Sequence, residues 1–336
     1  MDTAQSTEER MTERRTSLQL CAGAGGLALG LEWAGFDPVL LVEKRPVACE
    51  SLRLNRPGWD VREMDLLDFD PVEHQQSYDV DLLAAGLPRV QASATVHRRR
   101  GSQLELELIE ATILLMHGVQ PRAVLIENVP DLVTKDAFAP IRAFIDRELE
   151  HLGYRYKWSV VNAADYGVPQ DRKQGLLVAF KESVIDAFTE PPRKLDPPTT
   201  VGALLEESMA SRGWSGASAW AAQANRIAPT LVGGSWERGG ADLGPTGTKA
   251  AWARMGVDGG TVADDVPGAD FEWRPAEGRR GMVPLTVEQA ALLQGFPPDW
   301  QFAGRKTARY RQVAHASPPP VGEAVGRAVR RALDAC

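Results

Sequence analysis

The chain has 336 residues, 43% hydrophobic and 25% charged, with 38 Lys and Arg against 45 Asp and Glu, a formal net charge of -7 and a pI near 5.4. This is ordinary globular composition with room for one large core and a smaller domain, and it argues against disorder outside the ends. The acidic balance argues against general nucleic-acid affinity, which depends on Lys and Arg displacing counterions, although a local cleft on an acidic protein can still be basic.

The first 15 residues, MDTAQSTEERMTERR, are polar and charged and are expected to form a disordered tail. No stretch carries the roughly 20 consecutive apolar residues of a membrane span, so a soluble, cytoplasmic protein without a membrane partner is expected. Cys21, Cys49 and Cys336 have neither metal-site spacing nor the density of a disulfide framework, and no metal is expected.

Strand-like aliphatic runs fall at 17–21, 39–43, 80–84 and 123–127, with a later one at 175–180, and runs at helical spacing lie at 27–34, 47–54 and 104–116. This alternation predicts a Rossmann-like α/β fold on a doubly wound parallel sheet. The first strand ends in CAGAGG, which places Gly23 and Gly25 where backbone can approach a ligand at a helix N-terminus. Such a turn alone is equally a tight connection with no ligand. Glu43 ends the second strand, where a carboxylate can accept from ribose hydroxyls, and Asp65 follows the third, where one can accept from an adenine amine.

From about Pro191 the texture becomes rich in Pro, Gly and Trp (DPPTT, VGGSWERGGADLGPTGT, GVDGG), which predicts a small loop-rich second domain over 191–283. The larger domain is then 16–190 together with 284–336. LTVEQAALLQGF (285–296) reads as a helix with Thr286 as N-cap and Gln289 completing a capping box, and 321–335 is amphipathic with Arg on its polar side. Trp214, Trp220, Trp236 and Trp252 either stack against DNA or form the small domain's core, and HRRRG (97–101) is either a phosphate contact or a solvated loop.

LCAGAGGLALGLEWAGF, VEKRPVACESLRLNRP and MDLLDF resemble the S-adenosylmethionine-binding motifs of the DNA cytosine-5 methyltransferases, whose fold is a Rossmann-like S-adenosylmethionine-dependent methyltransferase domain. VLIENV (124–129) resembles the family's Glu-Asn-Val motif, and YGVPQDRKQ (166–174) its QxRxR motif. RIAPTLVGGS, LLQGFPPDWQFAG and YRQVAHASPPPVGEAVG resemble its last motifs, so the resemblance covers about 16–333 in family order. It implies S-adenosylmethionine as cofactor, held at Gly23, Gly25, Glu43 and Asp65, with Cys21 and Pro88 as further cofactor-side positions and His315 either a new polar partner of the cofactor or a surface or core histidine. It also implies double-stranded DNA as partner and a place in restriction-modification. Glu127 would face N3 of a cytosine flipped from the duplex, and Arg172 would hold the base and its phosphate.

The departures from the pattern are specific. DLLAAGLPRVQAS (81–93) resembles the nucleophile loop, close to DLLxGGxPCxPFS in the family, and aligned without gaps it puts Arg89 where the cysteine stands. A guanidinium stays protonated and offers no lone pair, so Arg89 cannot add to C6 as a thiolate does. The Pro and Phe that follow are Gln91 and Ala92, Ser93 matches a loop serine, and the last Arg of QxRxR is Gln174. The family's Phe before the glycine turn is Cys21, a loss of about 1 to 3 kcal/mol of cofactor binding if nothing refills the space. Arg45 stands where an Asp is usual, and the usual Gly-Asn of the final motif is Ala314-His315. The expectation is a catalytically deficient member that binds DNA and cofactor, and that assists or restrains an active methyltransferase. The alternative is an active enzyme whose methyl transfer needs no cysteine.

Overall fold

The computed structural model describes residues 14–90, 99–194, 196–234, 236 and 239–335, with backbone alone at 99–102 and 182–183. Two compact units divide it. The first holds residues up to Val161, Lys173–Pro192 and the chain from Val321, and the second holds Asn162–Arg172 and Arg193–Pro320.

The first unit is built on a seven-stranded sheet. Its strands are β1 (Arg15–Leu20), β2 (Phe36–Glu43), β3 (Val61–Glu63), β4 (Leu82–Gly86), β5 (Ala123–Asn128), β6 (Tyr154–Asn162) and β7 (Lys173–Lys181), in the order β3-β2-β1-β4-β5-β7-β6. Pairing is parallel from β3 to β5, while β5 and β7 run antiparallel. Helices α1 (Gly26–Trp33), α2 (Pro46–Asn55), α3 (Arg99–Val119), α4 (Pro130–Thr134) and α5 (Ala139–His151) connect these strands, and Pro319–Asp334 closes the chain.

Strands covered on both faces read as continuous aliphatic runs, which is why LLAAG and AVLIEN were legible. All six residues of β5 are buried. The core runs from Leu18, Leu20 and Val42 through Leu83, Ile109 and Ile126 to Leu177. The chain moves outward from β1 to β3 and then returns to the other side of β1 as β4 and β5. The order therefore reverses between β1 and β4, and in such sheets the crevice beyond the carboxyl ends at that reversal is where ligands bind.

The expected N-terminal tail lies outside the described residues up to 13, but it does not reach Arg15. That residue opens β1, and its guanidinium pairs with Asp334 at 2.7 Å and Asp81 at 3.2 Å, which ties it into the fold.

The second unit contains α6 (Val201–Ala210), α7 (Ala217–Gln223), α8 (Thr246–Arg254), α9 (Val287–Gln294) and α10 (Lys306–His315), with a parallel pair β8 (Val257–Ala263) and β9 (Val283–Thr286). This boundary differs from the one drawn on sequence, because β9 pairs with β8 at Val262↔Leu285 and so carries 284–320 into the second unit. The capping box at Thr286 and Gln289 is formed in both directions. Trp214, Trp220 and Trp252 are buried and make this unit's core, in place of a DNA-facing row. Among the described residues no helix is long and apolar enough to cross a membrane.

Candidate functional site

The turn after β1 takes positive φ at Cys21 (51°), Gly23 (56°) and Gly25 (89°). Glycine adopts this region freely, whereas Cys21 holds it at a strain cost. Glu43, buried at the end of β2, organises the turn: Oε2 accepts from the Gly23 N–H and Oε1 from the Arg45 N–H, both at 2.8 Å. One carboxylate thereby joins the turn to the start of α2, and each oxygen keeps a lone pair for another donor. A Cβ on Gly23 would meet nothing within 4 Å, so the space over the turn is open.

Asp65 follows β3, accepts from the Leu67 N–H at 3.2 Å and pairs with Lys44. Burial works against its charge, but Lys44 and the N–H groups of Leu67 and Leu66 hold its carboxyl below the usual range. The Cys21 thiol is pushed up to about 12 by burial and then by the charges of Glu43 and Asp65. At neutral pH it is therefore a protonated thiol and a poor nucleophile. Two carboxylates with spare lone pairs at the ends of β2 and β3, beside an open glycine turn, fit an adenosyl group.

The second cluster follows β4. Gly86 pairs with Glu127 on one side, and Glu127 with Leu176 on the other, which places the Glu127 carboxyl at the carboxyl end of β5 beside the 87–90 loop. Asn128 fixes that loop: its Nδ2 donates to the Pro88 carbonyl at 3.1 Å, and its Oδ1 accepts from Val90 N–H at 3.2 Å and Val129 N–H at 2.9 Å. Position 175 must be glycine, since a Cβ there would lie 2.5 Å from the Val129 carbonyl oxygen.

Glu127 is buried, and its Oε1 has no hydrogen-bond partner among the described residues. Burial raises its carboxyl above the ordinary value, while the charge of Arg89 and a hydrogen bond from the Gln174 amide oppose that rise without overcoming it. Arg89 is half-buried. Gln91, Ala92, Ser93, His97 and Arg98 lie outside the described residues, as do the side chains of Arg99 and Arg100. The predicted residues Pro88, Arg89 and Glu127 therefore come together, with Asn128 and Gln174 as the partners that hold and tune them.

Arg172 and His315 belong to the second unit. Arg172 is fully buried, and its guanidinium donates to the carbonyls of Leu231 (3.2 Å), Ala314 (3.1 Å) and Ala316 (3.0 Å). Gln170 donates to the Leu293 carbonyl and to Gln294 Oε1 and accepts from Leu231 N–H, while Gln294 donates to Ala316. The QDR tripeptide thus ties three segments of this unit together, a task the sequence reading did not assign to it. Gln294 was missed because LLQGF reads as an ordinary helix end.

His315 is exposed at the end of α10. It donates to the Gly234 carbonyl at 3.0 Å and stacks on Trp236 with ring centroids 5.9 Å apart. A Cβ on Gly233 would lie 2.5 Å from its ring, so this glycine leaves the room that the histidine occupies. Among the described residues no group of three His, Cys, Asp or Glu side chains could hold a metal ion.

The family model for the C-5 cytosine-specific DNA methylases matches residues 16–331. The type II methyltransferase M.NgoMIV of Neisseria gonorrhoeae is 41% identical over 327 residues, covering 95% of this chain and 98% of its own. M.NaeI of Lentzea aerocolonigenes is 42% identical over 323 residues, covering 94% of this chain and 75% of its own. Two solved structures share the fold. A putative DNA modification methyltransferase encoded within an E. coli prophage has a TM-score of 0.64 at 19% identity, covering 95% of this chain and 99% of that one. The Dnmt2 methyltransferase of S. pombe has a TM-score of 0.62 at 18% identity, covering 96% and 99%.

Proposed function

The chain belongs to the C-5 cytosine-specific DNA methylases, and on that premise we propose that it is a DNA-modification protein of the restriction-modification kind, deficient in ordinary C5 transfer. Its partners in this reading are S-adenosylmethionine and double-stranded DNA. Gly23, Gly25, Glu43 and Asp65 would hold the cofactor, which supplies the methyl group. The observation that carries the reading is Arg89, on the loop after β4 whose Pro88 and Val90 Asn128 fixes, beside Glu127, where the resemblance places the family's thiol. C5 of cytosine becomes nucleophilic only after a nucleophile adds to C6, and a guanidinium has no lone pair for that step. The buried, high-pKa thiol of Cys21 does not supply one either. A protein that binds DNA and cofactor without this step acts by occupying sites or by pairing with an active methyltransferase.

A second reading keeps methyl transfer but directs it to an atom that needs no addition at C6, such as an exocyclic amine. The Oε1 of Glu127, buried and without a hydrogen-bond partner among the described residues, favours it, since such an acceptor can orient a donor brought to it. Transfer of labelled methyl from S-adenosylmethionine to a cytosine-rich duplex library tests both. No transfer beside an active relative supports the first, and a labelled product identified by mass spectrometry supports the second.

A further inference from the structure

The departures at 89 and 174 fall on one carboxylate. Gln174 reaches Glu127 from β7, the antiparallel neighbour of β5, and Arg89 bears on it from the loop that Asn128 fixes after β4. Arg89 is the charged group that acts on Glu127, and Gln174 the hydrogen-bonding one. Position 89 has gained a guanidinium where the resemblance expects a thiol, and position 174 has lost one where it expects arginine. Glu127 Oε1 is buried and has no hydrogen-bond partner among the described residues, so Arg89 acts on the carboxylate as a charge and not as a hydrogen-bond donor to that oxygen.

We propose that residues 89 and 174 are an exchanged pair, with Arg89 supplying the cation beside the buried Glu127 carboxylate that an arginine at 174 would otherwise supply. Arg89 is on this account a positioning residue that acts through Glu127. A neutral residue at both positions would leave a buried carboxylate without any countercharge, which is unfavourable in a low-dielectric setting. The exchange keeps one cation beside the carboxylate and moves it from β7 to the loop after β4.

The proposal rests on the family reading only for the arginine expected at 174, and its test needs neither DNA, cofactor nor methyl transfer, so failure of the proposed function would leave it standing. Thermal unfolding of the full chain is measured at about pH 5 and about pH 8 for the wild type, Arg89→Met, Arg89→Lys, Gln174→Arg and Arg89→Met with Gln174→Arg. The Glu127 carboxyl is raised by burial, so it weakens the fold as pH rises from its ordinary value of 4.5 through its folded value. Arg89 limits that loss.

The expected result is a larger drop in melting temperature for Arg89→Met at the higher pH than at the lower, a difference that Arg89→Lys does not show and that adding Gln174→Arg reduces. Gln174→Arg alone, which keeps the wild-type loop, is expected to raise the melting temperature more at the higher pH. Equal drops for Arg89→Met at both pH values, or a Gln174→Arg effect independent of pH, would overturn the proposal. If Arg89→Met does not fold, the Gln174→Arg and Arg89→Lys profiles decide it alone.

Discussion

Asn128 brackets Arg89, donating to the carbonyl of Pro88 and accepting from the N–H of Val90, so the two peptides flanking the guanidinium are fixed by one buried amide. The side chain that occupies the nucleophile position is therefore carried on an ordered backbone. Replacing Asn128 with Ala removes three hydrogen bonds and leaves the Pro88 carbonyl and two N–H groups to find other partners. A loss of about 1 to 3 kcal/mol is expected in urea unfolding. Hydrogen exchange at the Val90 amide should quicken in the variant, while exchange in β2 stays as in the wild type.

Glu127→Gln should stabilise the protein in a pH-dependent way. The folded carboxyl titrates above its ordinary 4.5, so its ionisation opposes folding from that pH upward and has no effect below it. Gln removes the ionisation and keeps an amide oxygen for Gln174. The variant is thus expected to melt higher than the wild type in mildly alkaline buffer, and the gap should close as pH falls toward the ordinary carboxylate value. A gap that stays constant with pH would mean that the Glu127 carboxyl titrates alike in the folded and unfolded chain.

Arg89→Cys alone should give weak methyl transfer. It restores a thiol but withdraws the cation from Glu127 while Gln174 stays neutral, and Gln91 and Ala92 still replace the expected Pro and Phe. Combining it with Gln174→Arg should raise transfer by at least about tenfold over the single variant, the scale on which electrostatic groups act in such sites. Labelled-methyl assays under saturating cofactor measure both. Robust transfer by the single variant would show that only the nucleophile was missing.

The thiols of Cys21 and Cys49 are both pushed up to about 12, first by burial and next by Glu43. At neutral pH each is almost wholly protonated, and alkylation proceeds through the thiolate. Iodoacetamide should therefore leave both largely unmodified in the native protein while labelling them in denaturant, as read by peptide mass spectrometry. Rapid native labelling of Cys21 would contradict its placement.

What could be read from sequence follows from which interactions are local. The strands at 17–21, 39–43, 80–84, 123–127 and 175–180 were legible because doubly covered strands are continuous aliphatic runs, and the capping box at Thr286 and Gln289 because its spacing is fixed by one helical turn. β6 was not, since YRYKWSVVN mixes exposed and buried residues without strict alternation. Arg15 looks like tail in sequence because its ion pairs lie 66 and 319 residues away. Glu127 and Arg89 were found by motif, but Asn128 as the clamp and Gln174 as the partner of Glu127 depend on strand pairing, which carries no local signal. The second unit's boundary was missed for the same reason: the pairing of β8 with β9 spans a stretch of turns.

Arg172 offers the sharpest contrast between motif and structure. The motif implies a side chain that holds a base and its phosphate, whereas its guanidinium donates to the carbonyls of Leu231, Ala314 and Ala316 within the second unit. A planar fork can serve three carbonyls arranged around it, and a lysine ammonium at the end of a flexible stem cannot reproduce that geometry. Arg172→Lys should therefore cost about 2 to 4 kcal/mol in the absence of any nucleic acid, and Arg172→Met more, because the carbonyls lose their donors altogether. Thermal unfolding of the free protein measures this. Variants that melt as the wild type does, yet lose affinity for duplex DNA, would return Arg172 to the role its motif implies.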